Sequence, residues 1–371
     1  MASLELFQEA DRQLTICNAC RYCEGLCPVF PAVEQRKSFT KGDIRYFANL
    51  CHDCRGCYSA CMFTPPHEFA INIPKMMSEV RMESYEHWSW PSALARAYTS
   101  RSRSALIGAF AVAVVLIAAF VLIPSDRLFG VQLGPGAFYR IVPYLGMVVP
   151  AVTLFVYGIL IWLQGVLRFW NEPDSPLLRK PDGLKPLFRA IGDAATLKYL
   201  GGGGPGCFYP EEAPSNMRRV FHTVLVLGFL LDLASTTTAF VYEDFLHWLP
   251  PYPYMSAPVI LGTVGGILLV IGAIGLLGLK AASDRALGNP ISYSLDYAFL
   301  LTLGLTGITG LLVLLLRTTA ALGTVLVIHL AMVAALFLTA PYGKFVHFVY
   351  RSFALLRFEI EQGAGNQVAG H

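Results

Sequence analysis

The sequence predicts a protein of two parts. A small α+β or α-rich domain is expected over residues 1–100, followed by an all-α bundle of six transmembrane helices over residues 101–355 and a tail over residues 356–371. Eight of the nine cysteines lie before residue 62. Hydrophobic residues make up 55% of the 371-residue chain and charged residues only 14%, whereas a soluble protein carries about 25% charged residues.

The cysteine-rich domain is predicted to lie in the cytoplasm. The N-terminus MASLELFQEADRQ is acidic and polar and lacks the apolar core of a secretory signal. Thiols stay reduced in the cytoplasm, so clustered cysteines there indicate metal or cluster ligands rather than disulfides. The formal net charge of +3 is too small to indicate a nucleic-acid partner.

Six apolar stretches follow this domain, each near the roughly 20 residues that cross a bilayer. The sixth starts near Leu322, with room for the helix to continue past Tyr350. The first five are predicted at about 104–123, 142–167, 220–241, 258–279 and 295–316. Aromatic and basic residues before the first span suit a membrane interface. They are Trp88, Trp90, Arg96, Arg101 and Arg103.

Basic residues are concentrated in the loops on one side of the predicted membrane. These loops and the C-terminal region carry Arg168, Arg179, Lys180, Lys185, Arg189, Lys198, Arg218, Arg219, Lys280, Arg285, Lys344, Arg351 and Arg357. The opposite loops carry Arg127, Arg140 and Arg317. Because cytoplasmic loops hold the excess of Lys and Arg, we predict a multi-pass protein of the cytoplasmic (inner) membrane with both termini in the cytoplasm.

Two cysteine runs share the spacing C-x2-C-x2-C-x3-C: CNACRYCEGLCP at 17–28 and CHDCRGCYSACM at 51–62. In bacterial-type ferredoxins this spacing gives three ligands to one [4Fe–4S] cluster, and the fourth cysteine binds the other cluster. One cluster is therefore expected on Cys17, Cys20, Cys23 and Cys61. The other is expected on Cys51, Cys54, Cys57 and Cys27. The alternative is two zinc sites, although zinc favours two C-x-x-C pairs separated by a longer loop.

The apolar part holds histidines that suit a b-type haem, which needs two imidazoles from neighbouring helices at the same depth. His222 at the start of the third span and His347 near the end of the sixth are the preferred pair. Pairing of His222 with His329 is the second alternative, and two haems are the third. Four nearby cations are candidates to meet haem propionates: Arg218, Arg219, Lys344 and Arg351. An isolated histidine on an apolar helix is otherwise often a hydrogen-bonded packing residue.

Asp232 lies in the third span, where an ionisable group is costly and is a functional candidate by default. It could carry a proton to or from a quinone, or its carboxylate could bond to the hydroxyls of Ser235 and Thr236 or to a nearby helix. The glycine-rich stretch GGGGPGCFYPEE between the second and third spans carries Cys207. A lone loop cysteine is usually a bystander, and Cys207 is predicted to be one.

Four segments resemble the tricarballylate/citrate-utilisation protein B family. They are ANLCHDCRGCYSACMFTPPHEFAINIPK (48–75), RRVFHT (218–223), APVILGTVGG (257–266) and MVAALFLTAPYGKFVHFVYR (332–351). The resemblance covers nearly the whole chain. It implies two [4Fe–4S] clusters on the eight cysteines and b-type haem, with His222, His329 and His347 in matching segments. It also implies that the protein reoxidises the FAD of a separate tricarballylate dehydrogenase and passes electrons to the quinone pool.

The last five spans are more distantly similar to the haem-binding subunit of respiratory nitrate reductases. In that family the second and fifth helices hold haems through histidine pairs, and these helices correspond to the third and sixth spans here. The inner pair matches His222 and His347. Asp232 stands where a partner for the outer haem is expected, so the resemblance implies one haem rather than two.

The sequence thus predicts a membrane electron-transfer protein that acts as a quinone reductase only together with an FAD-containing dehydrogenase. Its expected partners are that flavoprotein, membrane quinone and the lipid bilayer. Chemistry on an organic acid is assigned to the partner, because no glycine-rich dinucleotide motif follows a strand. One alternative is a redox partner in the oxidation of a corrinoid precursor. Another is a membrane transporter or sensor with a zinc-bound domain.

Overall fold

The computed structural model describes residues 2–99, 103–173, 183–204 and 206–368. Arg101, Arg179 and Lys180, which the topology prediction used, lie outside these ranges. The part before residue 100 is α-rich, and its described residues contain no strand. Its helices are α1 (Ala2–Cys20), α2 (Val29–Glu34), α3 (Lys41–Leu50), α4 (Gly56–Ser59), α5 (Ile73–Trp88) and α6 (Ser92–Thr99).

Helices α3 and α5 each begin after a residue whose side chain caps the first turn. Thr40 starts α3 with a capping box, because its hydroxyl accepts from the backbone N–H of Asp43 while the Asp43 carboxylate accepts from the backbone N–H of Thr40. Asn72 starts α5 by accepting from the N–H of Lys75. The inner face of α5 is fully buried at Met77, Val80 and Trp88, so α5 forms the centre of this part.

Six helices in the described ranges after residue 100 are long and apolar enough to cross a membrane, which confirms the predicted multi-pass protein. They are α7 (Arg103–Leu122), α10 (Tyr144–Asn171), α12 (Met217–Asp244), α13 (Ala257–Ala282), α14 (Pro290–Leu316) and α15 (Leu322–Thr339). The short elements between them are α8 (Ser125–Phe129), α9 (Ala137–Ile141), α11 (Lys185–Ala195), β1 (Cys207–Phe208) and β2 (Pro214–Ser215). The two strands pair antiparallel.

The sixth span is shorter than the sequence allowed. It ends at Thr339, and a turn over 340–345 separates it from α16 (Val346–Val368). Pro341 in this turn has no N–H to donate to the preceding turn of helix, and its ring would clash with a continued helix. The interpretation of His347 as a residue of the sixth span is therefore wrong, because His347 lies on α16.

The turn is anchored inside the bundle by Phe345. Its ring lies 5.6 Å from that of Trp162 on α10, 5.4 Å from that of Phe229 on α12 and 5.7 Å from that of Phe299 on α14, centroid to centroid. Aromatic pairs at such distances stabilise packing beyond the area that they bury. These contacts fix the start of α16, and hence His347, against three of the spans.

Glycines allow α12 and α13 to approach closely. A Cβ at Gly228 would lie 2.4 Å from the backbone nitrogen of Leu269, and one at Gly272 would lie 2.6 Å from that of Leu225. Small residues at such crossings are typical of membrane helices, whose association depends on close packing rather than on the hydrophobic effect. This crossing sets the position of α12, which carries His222 and Asp232.

Helix α16 is joined to the cysteine-rich part by a buried ionic network. Arg36 donates to Asp43 at 2.6 Å and to Glu361 at 2.7 Å, and Arg357 donates to Glu361 at 3.1 Å. The side chains of Glu361 and Arg357 are fully buried. Residues 356–368 form the second half of α16, and Leu356 and Phe358 pack against the core of the cysteine-rich part.

We predict that Glu361→Gln lowers the free energy of unfolding by about 3–5 kcal/mol, because it leaves two buried guanidinium groups without their shared carboxylate. The matched control is Glu9→Gln, which breaks an exposed pair with Arg12 and is expected to cost at most about 1 kcal/mol. Denaturant unfolding of the detergent-solubilised protein measures both. Equal costs for the two variants would contradict the role of Glu361.

Candidate metal centres

The first group of thiols comprises Cys17, Cys20, Cys23 and Cys61, and is called the outer set here. They line one cavity together with apolar side chains. Burial, followed by the proximity of Cys61, Cys23 and Cys20, raises the pKa of the Cys17 thiol to about 12. Burial, followed by Cys61 and Cys20, raises the pKa of Cys23 to about 11. Four neighbouring thiolates are therefore unfavourable without a cation among them.

The second group comprises Cys27, Cys51, Cys54 and Cys57, and is called the inner set. They line a second cavity. Burial, followed by the proximity of Cys54 and Cys51, raises the pKa of the Cys27 thiol well above its ordinary value. Burial is also the main cause that raises the pKa of Cys54 to about 12.

The structure thus places the fourth cysteine of each run with the other run. Cys61 joins the first run, and Cys27 joins the second. The two cavities adjoin, because Phe30 lines both and the thiol of Cys23 contributes to the raised pKa of Cys57. Among the described residues, no three His, Cys, Asp or Glu side chains are grouped closely enough to hold one metal ion. A cube of four irons is compatible with wider spacing, because each thiolate binds its own iron.

The glycine-rich stretch covers the inner set. Gly203 has a φ of +84°, and a Cβ there would lie 3.1 Å from the Cα of Leu26, next to Cys27. Only glycine adopts this backbone without strain and allows the approach. The N–H of Phe208 donates to the carbonyl of Cys54 at 2.9 Å. Cys207 is buried in the same cluster as Cys54, and its thiol donates to the carbonyl of Leu200 at 2.8 Å.

A histidine pair lies on the membrane side of the inner set. The rings of His222 and His347 have centroids 6.3 Å apart and planes at 85°. An imidazole nitrogen lies about 2 Å from a metal that it binds, and the ring centre about 1 Å beyond, so two imidazoles on opposite sides of one metal have centroids about 6 Å apart. The observed separation therefore suits one iron between the rings.

The protonation state of His347 also suits a metal ligand. Its Nδ1 lies 2.5 Å from the carbonyl of Lys344, and this bond orients Nε2 as the free nitrogen, as in many metal sites. Burial, and then the charge of Arg351, lower the pKa of His347 well below its ordinary value. The ring is therefore neutral, as metal binding requires. The Nδ1 atom of His222 is buried and has no hydrogen-bond partner among the described residues.

Two arginines connect the inner set to this histidine pair. Arg218 lies one turn before His222 on α12 and donates to the carbonyl of Asp53. Arg351 lies one turn after His347 on α16 and donates to the carbonyl of Cys51 at 2.9 Å. The same carbonyl accepts from Arg81 at 2.6 Å. The loop that carries the second cysteine run is thus held directly over the two histidines.

The other two predicted propionate cations are engaged elsewhere. Arg219 donates to the carbonyl of Thr196 at 2.7 Å. Lys344 pairs with Asp296 at 2.8 Å, and Lys280 pairs with the same carboxylate. Asp296 is a site residue that the sequence reasoning missed, although an acid inside the fifth predicted span was a visible signal.

Arg55 was also missed. Its side chain is buried, lies over the ring of Tyr209 at 4.7 Å and donates to the hydroxyl of Tyr293 at 3.0 Å. The ring of Tyr209 also contacts the guanidinium of Arg218 at 5.0 Å. The inner set and the histidine pair therefore lie in a region with more buried cations than carboxylates.

His329 and Asp232 lie apart from the histidine pair. The Nδ1 of His329 is 3.1 Å from the hydroxyl of Thr309 on α14, so the ring faces α14 rather than His222. Asp232 faces α13, where a Cβ at Gly265 would lie 2.4 Å from its Oδ1 atom. The hydroxyl of Ser235 donates to the carbonyl of Pro258, and that of Thr236 donates to the backbone carbonyl of Asp232. Neither hydroxyl bonds to the Asp232 carboxylate.

Comparison with known proteins identifies the family. A family model described as Citrate utilization protein B Fer4-like domain matches residues 10–87, and the model described as Citrate utilization protein B matches residues 98–367. Citrate utilization protein B of Escherichia coli is 44% identical over 368 residues, which cover 98% of this chain and 95% of the relative. No solved structure matches the chain. The chain therefore belongs to the citrate utilization protein B family, as the quoted segments predicted, and its N-terminal part is a Fer4-like domain.

Proposed function

We propose that this protein carries electrons from the reduced FAD of a partner dehydrogenase, of the tricarballylate type, to the quinone pool of the cytoplasmic membrane. It would hold two [4Fe–4S] clusters and one haem b, with both termini in the cytoplasm. These groups, when bound, accept and release single electrons, so that the two electrons of a flavin can be passed on one at a time. The observation that carries the proposal is the direct connection of the inner thiol set to the histidine pair through Arg351 and Arg218.

The thiols would supply the cluster ligands in the two sets that the structure brings together. Each set has four sulfur donors around an apolar cavity, and thiolates are the ligands of iron–sulfur clusters. The raised thiol pKa values mean that the protein itself does not stabilise the thiolates. Binding of a cationic cluster core would supply that stabilisation, and it would release protons from the thiols.

His222 and His347 would hold the haem iron. The neutral state of His347, the centroid separation of 6.3 Å and the unpartnered Nδ1 of His222 support this assignment. Arg218 donates to the carbonyl of Asp53, and Arg351 donates to the carbonyls of Asn49 and Cys51. Each arginine therefore uses only one or two of its five N–H groups. Their remaining donors, in a region rich in buried cations, are available to propionate carboxylates.

Asp232 is our candidate for proton exchange with a quinone. Its carboxylate lies within a membrane-spanning helix and has no hydrogen bond among the residues that the structure describes. An intramembrane acid without a partner is a functional candidate. It lies against Gly265 of α13, where a Cβ would come within 2.4 Å of its Oδ1 atom.

The crossed cluster assignment predicts which cysteine variants share a phenotype. Cys61→Ala and Cys17→Ala are expected to abolish the same electron paramagnetic resonance signal of the reduced protein. Cys27→Ala and Cys51→Ala are expected to abolish the other signal. Cys207→Ala is the control and should keep both, because its thiol bonds to a carbonyl. If Cys27→Ala removes the same signal as Cys17→Ala, the assignment is wrong.

The haem assignment predicts that His222→Ala or His347→Ala abolishes the reduced b-haem bands and leaves both cluster signals. The matched control is His329→Ala, a buried histidine of a neighbouring helix whose ring bonds to Thr309, and it should keep normal haem bands. Absorption spectra of the dithionite-reduced proteins measure all three. A normal haem spectrum for His347→Ala would show that another residue is the ligand.

The function itself is tested by anaerobic mixing with tricarballylate dehydrogenase and its substrate. We expect the haem bands of this protein to reduce and then to reoxidise when a soluble quinone analogue is added. A purified protein without iron, sulfide or haem absorption would contradict the proposal. So would haem bands that dithionite reduces but the flavoprotein does not.

A further inference from the structure

We infer that electrons enter through the outer set, and that the apolar face around it, formed by Tyr22, Met62 and Phe69 (the docking face), binds the FAD-containing dehydrogenase. This inference rests on the proposed function and adds the direction of transfer and the surface that receives the partner. It follows from how differently the protein covers its two thiol sets.

The outer set is open to solvent. Cys20 is exposed, whereas Cys54 of the inner set is 7% exposed. Tyr22 and Met62 line the outer cavity and are 67% and 65% exposed. Phe69 is 37% exposed, and its ring lies 5.5 Å from that of Phe63, which lines the same cavity. Large exposed apolar side chains gathered at one site mark an interaction surface.

The inner set is covered on the sides where a partner could approach. Gly203 packs on Leu26, and Phe208 is bonded to Cys54. Arg351 and Arg218 hold the loop from the side of the histidines. A partner protein can therefore approach the outer set more closely than the inner set. The histidine pair lies next to the inner set.

The docking face suits a water-soluble protein rather than lipid. It lies at the C-terminal end of α1, which packs mainly on α2, α3 and α5, and none of these is a candidate membrane span. The exposed charges next to Tyr22 and Cys23 are those of Arg21 and Glu24, which are of opposite sign. The partner is therefore expected to present an apolar surface around its flavin edge, in a small and transient contact as is typical of redox complexes.

The electron balance of the step is simple. The reduced flavin of the partner loses two electrons and two protons and becomes oxidised FAD. The thiols of the outer set would hold the group that, when bound, accepts these electrons one at a time at the exposed edge near Cys20, and the thiols of the inner set would hold the next acceptor. The two protons would pass to water.

The test compares Phe69→Arg and Phe69→Glu with Leu4→Arg, because Phe69 belongs to the docking face but does not line the outer cavity. Leu4 is 56% exposed on α1, about 24 Å along the axis from Cys20. We expect both docking-face variants to slow haem reduction by the flavoprotein at least about tenfold, with unchanged iron content and unchanged reduction by dithionite. Leu4→Arg should behave as the unsubstituted protein does. If the flavoprotein reduces the unsubstituted protein and the docking-face variants equally fast, this inference fails while the proposed function stands.

A second measurement does not need the partner. A water-soluble gadolinium chelate should speed the relaxation of the paramagnetic signal that Cys17→Ala abolishes, and it should affect the signal that Cys51→Ala abolishes much less. The opposite order would overturn the direction of transfer, whether or not the flavoprotein proves to be the electron donor.

Discussion

The bonds from Arg351 and Arg218 to the carbonyls of Cys51 and Asp53 are the interactions on which the arrangement of the site depends. A buried guanidinium is costly unless its donors are satisfied, and here backbone carbonyls of the cysteine loop satisfy part of them. Each arginine lies one helical turn from a histidine of the pair. The inner thiol set and the two imidazoles are therefore held at a fixed separation.

Other parts of the fold maintain these bonds. Arg351 is in place because Phe345 anchors the start of α16 in the bundle and Glu361 holds its second half against Arg36. Arg218 is in place because glycines let α12 pack closely on α13. The cysteine-rich part and the membrane bundle thus share a core, which includes Trp88 from the first, Phe169 from the second and Tyr350 from α16. A rigid junction of this kind suits electron transfer, whose rate depends on a fixed distance.

Local sequence patterns predicted the features that depend on local spacing. Six apolar stretches predicted the number of spans. The spacing of the two cysteine runs predicted that Cys27 would lie with the second run and Cys61 with the first. The end of the sixth span was missed, although Pro341 was the visible signal for it. Long-range contacts could not be predicted, since Glu361 meets Arg36 across 325 residues and no local pattern marks the pair. Lys344 likewise pairs with Asp296, a contact between a turn and another helix that no local pattern marks.

The central claim is that the two thiol sets and the histidine pair hold redox groups in one chain. Counting iron, acid-labile sulfide and haem in the purified protein tests this claim most directly. We expect about eight cluster irons and about eight sulfides, with one haem per chain. Zinc in place of iron, a single cluster, or the absence of haem would contradict the claim.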